Sequence, residues 1–324
     1  MATKDKGKKI KTVKSKPLSG KEGSWKYDFS RNKTLYFLFI PVLAYFIIFH
    51  YAPMVGLLMA FEKYKPTRGL FGSEWVGLEN FKDLFTGDTF AKVLRNTAAM
   101  ALLNLTVGFA APVILAMLLS QVRLKRFKRT VQITSYMPYF VSAVVVTSLA
   151  SEFLSSTGAL TMVLSWFGFD KQNWLANPNI PVFWLINTFI EIWQGAGWGS
   201  IIYIAAIANV NGDLHEAAAI DGANRWHRMW KVTFPTILPL IIVMFTMRIG
   251  LVFRQGFDKV LLLYMPSTYD VSDCLYTYTY RMAFGQTVNY GLSTASGLFQ
   301  SVIGSTLLII SNKLSKKLAG TSMI

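Results

Sequence analysis

The chain has 324 residues, of which 52% are apolar, 15% aromatic and 15% charged. This composition excludes an ordinary soluble protein and indicates a membrane protein. A net charge of +16 would suit nucleic-acid binding. The basic residues, however, avoid the apolar stretches, and no stacking aromatics accompany the lysine-rich start, so we expect no nucleic-acid partner. A single cysteine, Cys274, excludes an intramolecular disulfide.

Six long apolar windows follow the lysine-rich start. A membrane core of about 30 Å is crossed by about 20 mostly apolar helical residues, and each window is near that length. The windows cover residues 35–61, 96–120, 131–153, 181–210, 235–253 and 292–310. We therefore predict an all-α integral membrane protein with six transmembrane helices. Residues 1–30 form a basic tail that we expect to be disordered, and residues 31–324 form the six-span domain.

The distribution of Lys and Arg predicts the orientation, because these residues concentrate in the cytoplasmic segments next to membrane spans. The N-terminal tail is rich in lysine. The short loop between the second and third windows contains no acid and holds Arg123, Lys125, Arg126, Lys128 and Arg129. Both segments are therefore predicted to be cytoplasmic. Six spans then place the C-terminus on the same side.

The segment between the fourth and fifth windows, residues 211–234, reads NGDLHEAAAIDGANRWHRMWKVTF. Asp213 and Glu216 have the spacing of a capping box, in which side chains satisfy the free N–H groups at a helix start. The three alanines that follow favour a helix. Gly222 allows a turn before a second short helix. Pro235 is predicted to begin span five, where a proline costs little.

Two functions fit this helical hairpin. Its small, alanine-rich face suits the groove of another protein. Alternatively, it lies on the inner lipid headgroups with Trp226 and Trp230 inserted. The residues alone permit both interpretations.

The same segment resembles the signature of binding-protein-dependent ABC importer permeases, which is EAA, then Gly, then a hydrophobic-x-Leu-Pro element. The matching residues are Glu216, Ala217, Ala218, Asp221, Gly222, Ala223, Val232, Phe234 and Pro235. Val232 and Phe234 replace the usual Ile and Leu but are also hydrophobic. In that family the segment is the coupling helix, which inserts into a cleft of the ATPase. The resemblance implies an ATPase-coupling role for Glu216, Ala217, Ala218, Asp221, Gly222 and Pro235.

The resemblance extends over nearly the whole chain after the tail. The runs GLENF at 77–81 and MPY at 137–139 are similar to the maltose and glycerol-phosphate type of carbohydrate permease. The basic tail and the YR pair at 280–281 resemble its polysaccharide-type, LplB-like subgroup. One departure is Ala159, because the family often has Asn after the preceding Gly. Ala159 has no amide group and cannot make a contact that depends on that Asn.

This family resemblance implies the type I ABC importer permease (MetI-like) fold and transport by alternating access. It also implies a location in the bacterial cytoplasmic membrane. The implied partners are a second homologous permease subunit that completes a heterodimer, an ATPase dimer, an extracytoplasmic solute-binding protein and a carbohydrate substrate.

The sequence contains no GxxxxGK[ST] loop, the element that cradles the phosphates of ATP in many ATPases. We therefore expect ATP and Mg²⁺ to be bound by the separate ATPase subunits, and we expect no cofactor on this chain. No HExxH motif is present, and the three histidines are far apart in sequence. These observations give no support to a metal site or to an enzyme.

Polar residues within the spans are candidates for a substrate path, because ionisable groups at membrane depth are costly. Asn187, Glu191 and Gln194 follow i, i+4 and i+7 spacing and share one face of span four. Glu191 and Arg248 both approach mid-depth, where they could instead form a structural ion pair. The candidate path residues are Asn187, Glu191, Trp193, Gln194, Arg248, Arg254 and Gln300.

Three other functions remain open at this stage. The chain could be an ABC importer permease for another solute, such as glycerol phosphate or a peptide. It could be a secondary carrier or channel in which Glu191 and Arg248 relay protons. It could also be a membrane scaffold that transports nothing. Loss of transport on removal of the ATPase would separate the first of these from the second.

Overall fold

The computed structural model describes residues 25–252 and 256–319. The chain divides into two compact units, Met1–Leu57 and Leu58–Ile324. The described part of the first unit starts with helices α1 (Trp25–Arg31) and α2 (Lys33–Phe46), followed by a π-helical turn, Ile47–Tyr51. Residues 25–30 therefore lie in a helix, not in the predicted disordered tail. The rest of that tail, residues 1–24, lies outside the described residues.

The second unit is helical apart from one short hairpin. Its strands β1 (Glu62–Lys63) and β2 (Glu74–Trp75) pair antiparallel. The helices are α3 (Glu79–Thr86), α4 (Asp88–Leu103), α5 (Phe109–Gln121), α6 (Lys125–Tyr136), α7 (Ala143–Phe153), α8 (Ala159–Trp166), α9 (Val182–Ala208), α10 (Gly212–Ile220), α11 (Arg225–Arg228), α12 (Phe234–Gly250), α13 (Phe257–Leu263), α14 (Tyr269–Ser272), α15 (Leu275–Phe284) and α16 (Tyr290–Ala319). Short 3₁₀ segments lie at Ala52–Phe61, Met137–Phe140, Trp174–Ala176 and Pro266–Thr268.

Within the described residues, four helices are long and apolar enough to cross a membrane, and a bent pair adds a fifth if it counts as one span. The four are Lys33–Phe61, Asp88–Gln121, Arg225–Gly250 and Tyr290–Lys316. Helix α9 has 27 residues and is about 40 Å long at about 1.5 Å per residue. It has the length of a span, but with its central polar residues it is not among those four apolar helices. Each of the six predicted windows thus corresponds to one of these elements.

The window at residues 131–153 is not one straight helix. Lys125–Phe140 and Ala143–Phe153 meet at an angle of 99°. Val141 and Ser142 are extended at the break, and the Ser142 hydroxyl accepts the Val145 N–H to cap the second helix. Pro138 lies in the 3₁₀ turn just before the break and has no N–H to continue the helix ladder. The prediction of a single continuous span is therefore wrong here.

The helix that contains predicted span five begins before Pro235. It runs from Arg225 to Gly250 through a π-helical turn, Met229–Thr233. Pro235 is the second residue after that turn and lies inside the continuous helix, so it does not begin the helix, and its place at the membrane start stays a prediction. A π turn shifts the backbone bonding from i→i+4 to i→i+5, which provides room for a residue without an N–H.

A buried polar network fixes the segment between spans five and six against α4. The Asn96 amide donates to the carbonyl of Asp273 at 2.9 Å, and the Thr97 hydroxyl accepts the Leu275 N–H at 2.9 Å. The Asp273 carboxylate accepts the Thr277 hydroxyl at 2.6 Å and also pairs with Arg281. Burial raises the pKa of the Asp273 carboxyl, and the bonds from Thr277 and Arg281 oppose that rise.

Candidate functional site

The polar face of α9 makes three contacts with other elements. The Asn187 amide donates to the Met100 sulfur on α4 at 3.9 Å. The Glu191 carboxylate lies 2.7 Å from the Lys259 ammonium on α13. The Gln194 amide donates to the Val141 carbonyl at 2.7 Å, at the break between α6 and α7. The pairing considered from sequence, Glu191 with Arg248, is therefore not formed. The sequence does not predict Lys259 as the partner, because residue spacing does not give the rotation of α13 about its axis.

Arg248 is held by a neutral partner. Its Nε donates to the Asn104 side-chain oxygen at 3.0 Å, and its Nη2 contacts the same oxygen. Asn104 is buried and opens a π-helical turn, Asn104–Gly108, between α4 and α5. A Cβ at Gly108 would lie 3.5 Å from the guanidinium. That distance is an ordinary van der Waals contact, so the guanidinium lies directly against Gly108 at the end of the π turn.

Glu191 and Arg248 both line a cleft of about 420 Å³. Its wall also contains Tyr139 and Trp198, whose rings stack with centroids 4.9 Å apart and planes 6° apart. The rest of the α9 wall is formed by Ile192 and the small residues Gly195, Ala196 and Gly199. The cleft thus combines two charged groups with a flat aromatic pair, a combination typical of sites for polar ligands that have an apolar face.

The other predicted path residues are not in this cleft. Asn187 lines a separate small cavity of about 30 Å³ beside Met100 and Asn104. Gln194 is buried and bonded at the break described above. Gln300 is buried and donates to the Leu275 carbonyl at 3.2 Å and the Thr279 hydroxyl at 2.9 Å.

Two predicted path residues remain. Trp193 is 47% exposed and is not among the residues that line the cleft. Arg254 lies outside the described residues. Tyr139, Trp198, Asn104 and Lys259 were not assigned from the sequence. The stacked pair has a signal in the sequence. Tyr139 follows a proline, and Trp198 lies in the glycine-rich run of span four.

The N-cap of helix α10 in the predicted coupling segment lies two residues before the expected one. The Asn211 side chain accepts the Asp213 N–H at 3.0 Å, so Asn211 is the N-cap. The predicted capping box at Asp213 and Glu216 is therefore wrong. Asp213 lies in the first turn, where an acid still interacts favourably with the helix dipole.

The end of α10 forms a Schellman motif. The Ala223 N–H donates to the Ala218 carbonyl at 2.9 Å, and the Gly222 N–H donates to the Ala219 carbonyl at 3.1 Å. Gly222 has φ of +80°, the left-handed conformation that glycine adopts most readily. Asn224 then caps α11 by accepting the His227 N–H at 2.8 Å. The predicted turn between two short helices is therefore present.

The faces of this segment are open. Glu216, Ala217, Asp221 and Gly222 are exposed, and Ala218 is half-buried. Its apolar side chains are also uncovered: Ile220 is 87% exposed, and Leu214 and Trp226 are about half exposed. A short helix that presents small and apolar residues can bury them only against another surface.

A family model described as binding-protein-dependent transport system inner membrane component matches residues 108–317. Protein LplB of Bacillus subtilis (strain 168) is 40% identical over 302 residues, covering 92% of this chain and 93% of LplB. The polygalacturonan/rhamnogalacturonan transport system permease protein YteP of the same strain is 40% identical over 290 residues, covering 89% of each chain.

Two crystal structures of bacterial alginate ABC transporters share the fold. One, of an ABC transporter involved in the import of the acidic polysaccharide alginate, has a TM-score of 0.83 at 37% identity and covers 91% of this chain and 99% of the other. The second contains an alginate pentasaccharide-bound periplasmic protein; it has a TM-score of 0.84 at 36% identity and covers 92% and 99% of the two chains.

These similarities cover the spans, the cleft and the exposed hairpin. They confirm the predicted helical membrane fold and the predicted family. The relatives are transport subunits, and both solved structures belong to an ABC transporter. The chain therefore belongs to the binding-protein-dependent transport system inner membrane components and is a permease subunit of an ABC importer.

Proposed function

We propose that this permease forms one half of a translocation pathway that moves an oligosaccharide or a polysaccharide fragment into the cytoplasm by alternating access. The cleft between the spans is the observation that carries this proposal. A sugar presents hydroxyl groups at its rim and an apolar ring face, and the Tyr139–Trp198 pair and the two charged groups match both features. YteP is named for polygalacturonan and rhamnogalacturonan, and the related ABC transporter imports alginate. Both names support a polysaccharide substrate.

The substrate path in this proposal runs through the cleft residues. Glu191 and Arg248 remain path residues, and Tyr139 and Trp198 join them as the surface for a sugar ring. Gln194 acts indirectly, because its amide holds the break in span three at Val141. The predicted roles of Asn187, Trp193 and Gln300 in contacting substrate have no support from their positions.

The hairpin at 211–234 is proposed as the coupling element that docks into an ATPase dimer. Its exposed apolar side chains and its alanine face would be buried in a groove of that partner. The Schellman turn at Gly222 fixes the angle between its two helices. The ATPase would bind ATP and Mg²⁺, and this chain would transmit the closure of the ATPase dimer to the spans.

Two further partners belong to the proposal. A second homologous permease would complete the pathway as a heterodimer. An extracytoplasmic solute-binding protein would deliver the sugar, as supported by the periplasmic protein in the related alginate complex. The assembly would lie in the bacterial cytoplasmic membrane with both termini of this chain in the cytoplasm.

The orientation can be tested with single cysteines in a Cys274→Ser background. A cysteine at Lys128 should react with an impermeant reagent only after the cytoplasmic face is opened. A cysteine at Gly87 should react in intact cells. Labelling of both positions in intact cells would contradict the proposed orientation.

The transport function can be tested in vesicles that contain the permease pair, the ATPase dimer and the solute-binding protein. The probes are tetragalacturonate, alginate tetrasaccharide and a neutral arabinotetraose. We expect ATP-dependent uptake of at least one probe, and no uptake when the ATPase is omitted. Uptake of none of the three would reject the sugar assignment, and uptake without the ATPase would favour a secondary carrier.

A further inference from the structure

The charges of the cleft do not balance. Glu191 and Arg248 are the only charged residues among the described residues that line it. Glu191 is already neutralised by Lys259, at 2.7 Å. Arg248 has an amide oxygen as its partner and no ion pair among the described residues. One positive charge therefore remains uncompensated at membrane depth.

A net positive charge in this position is unfavourable, because a charge inside a membrane protein is costly unless a counter-charge or water compensates it. The chain had a direct way to avoid that cost: an aspartate at position 104 would fit where Asn104 lies and would supply the anion. The amide instead orients the guanidinium through Nε and Nη2 without neutralising it. The Glu191 carboxylate acts on Arg248 only through space and is shared with Lys259, so the three groups together keep one net positive charge.

We propose that Arg248 binds a carboxylate of the transported glycan and that Asn104 is the positioning residue that holds it, so the cleft selects uronic-acid oligosaccharides. This inference rests on the proposed function and deepens it by naming the chemical class of the substrate. A guanidinium binds a carboxylate through two parallel N–H bonds, and a planar fork is suited to that geometry. The Tyr139–Trp198 pair in the same cleft provides the flat surface for the sugar ring.

The pairing of Glu191 is part of the selection. If its carboxylate were free, it would repel a uronate and would compete for Arg248. Lys259 lies 2.7 Å from it and offsets both effects with a second positive charge. The described part of the cleft therefore presents one available cation and no available anion, which favours an anionic sugar over a neutral one.

The test uses the complete vesicle system described above with tetragalacturonate as the probe. The key variant is Asn104→Asp, which changes one side-chain group and provides Arg248 with an internal counter-charge. Arg248→Gln removes the cation itself. Asn289→Asp is the matched control, because it makes the same chemical change at an exposed cap, where Asp serves equally well.

We expect Asn104→Asp and Arg248→Gln each to lower tetragalacturonate uptake at least about tenfold, the order of magnitude for losing a hydrogen-bonded charge contact. Asn104→Asp should assemble in normal yield, and its ATP hydrolysis should still respond to the loaded solute-binding protein, so sugar moved per ATP falls. The control should match the unmodified complex. Normal uptake of neutral arabinotetraose by the Asn104→Asp complex would add support.

Three results would overturn the inference. The first is tetragalacturonate uptake within twofold of normal in Asn104→Asp. The second is an equal loss of uptake in the Asn289→Asp control. The third is a wild-type complex that transports only neutral arabinotetraose, which rejects the anion site but keeps the proposed function. A wild-type complex that transports none of the probes rejects the proposed function itself.

Discussion

Helices α9 and α6 approach each other closely at Gly197, and this contact gives a sharp prediction. A Cβ at this position would lie 1.9 Å from the backbone carbonyl oxygen of Ser135 on α6. Real Cβ atoms essentially never come within 3.0 Å of another heavy atom, so Gly197→Ala must separate α9 and α6 by about 1 Å. Small residues at helix interfaces in membranes serve to permit such approach.

The magnitude follows from what has to move. Overpacking a close interface costs about 1–3 kcal/mol, and here the obstacle is backbone, which cannot rotate away. We therefore expect the upper end, about 3 kcal/mol. For a protein of this size each kcal/mol lowers the melting temperature by roughly 2 °C, so the expected decrease is about 6 °C.

The assay is the apparent melting temperature of the purified permease complex at a fixed heating rate. Gly195→Ala is the matched control, because it makes the same change two residues away on the same helix, and its Cβ would meet nothing within 4 Å. The control should melt within about 1 °C of the unmodified protein, an effect small against the cost of overpacking. Equal melting temperatures for the two variants would refute the close contact between α9 and α6.

Two other contacts can be tested in the same way. Gln194→Leu should destabilise the complex by about 1 kcal/mol, because the Val141 carbonyl loses its 2.7 Å bond at the break in span three; a melting temperature equal to wild type would contradict that role. Gly222→Ala should weaken ATPase docking by forcing a Cβ into φ of +80°, at a cost of about 1 kcal/mol. Gly212, at the start of α10, has an ordinary φ, so Gly212→Ala should dock normally. Equal docking of both variants would count against the coupling turn.

The spans could be predicted from the sequence because long apolar runs have few alternatives in a membrane. The predicted window 96–120 lies within the observed helix Asp88–Gln121, whose extra residues at the start include the buried Phe90 and Val93. Asn96 is fully buried there and bonds to two carbonyls of the segment before span six. A hydropathy pattern registers the apolar run but not a polar helix end that protein contacts satisfy.

The breaks within the spans were not predictable in the same way. The 99° bend after Phe140 depends on a bond from Gln194, a residue of another span. The π turns that place Asn104 and Pro235 depend on backbone registers, and only the first of the two turns contains a glycine, Gly108. The start of α10 at Asn211 could have been predicted, since Asn is as good a cap as Asp and comes first in the chain.

Residue spacing alone does not identify the ion-pair partner of Glu191, but a comparison of double variants does. Depth along the spans favoured Arg248, but rotation about the helix axes brings Lys259 to 2.7 Å. Glu191→Gln alone leaves Lys259 largely buried and unpaired, and we expect a loss of about 3 kcal/mol and a lower yield of folded complex. Lys259→Met added to Glu191→Gln should recover most of that yield, whereas Arg248→Gln added to it should not. Recovery by the Arg248 change, and not by the Lys259 change, would return the ion pair to the partner predicted from sequence.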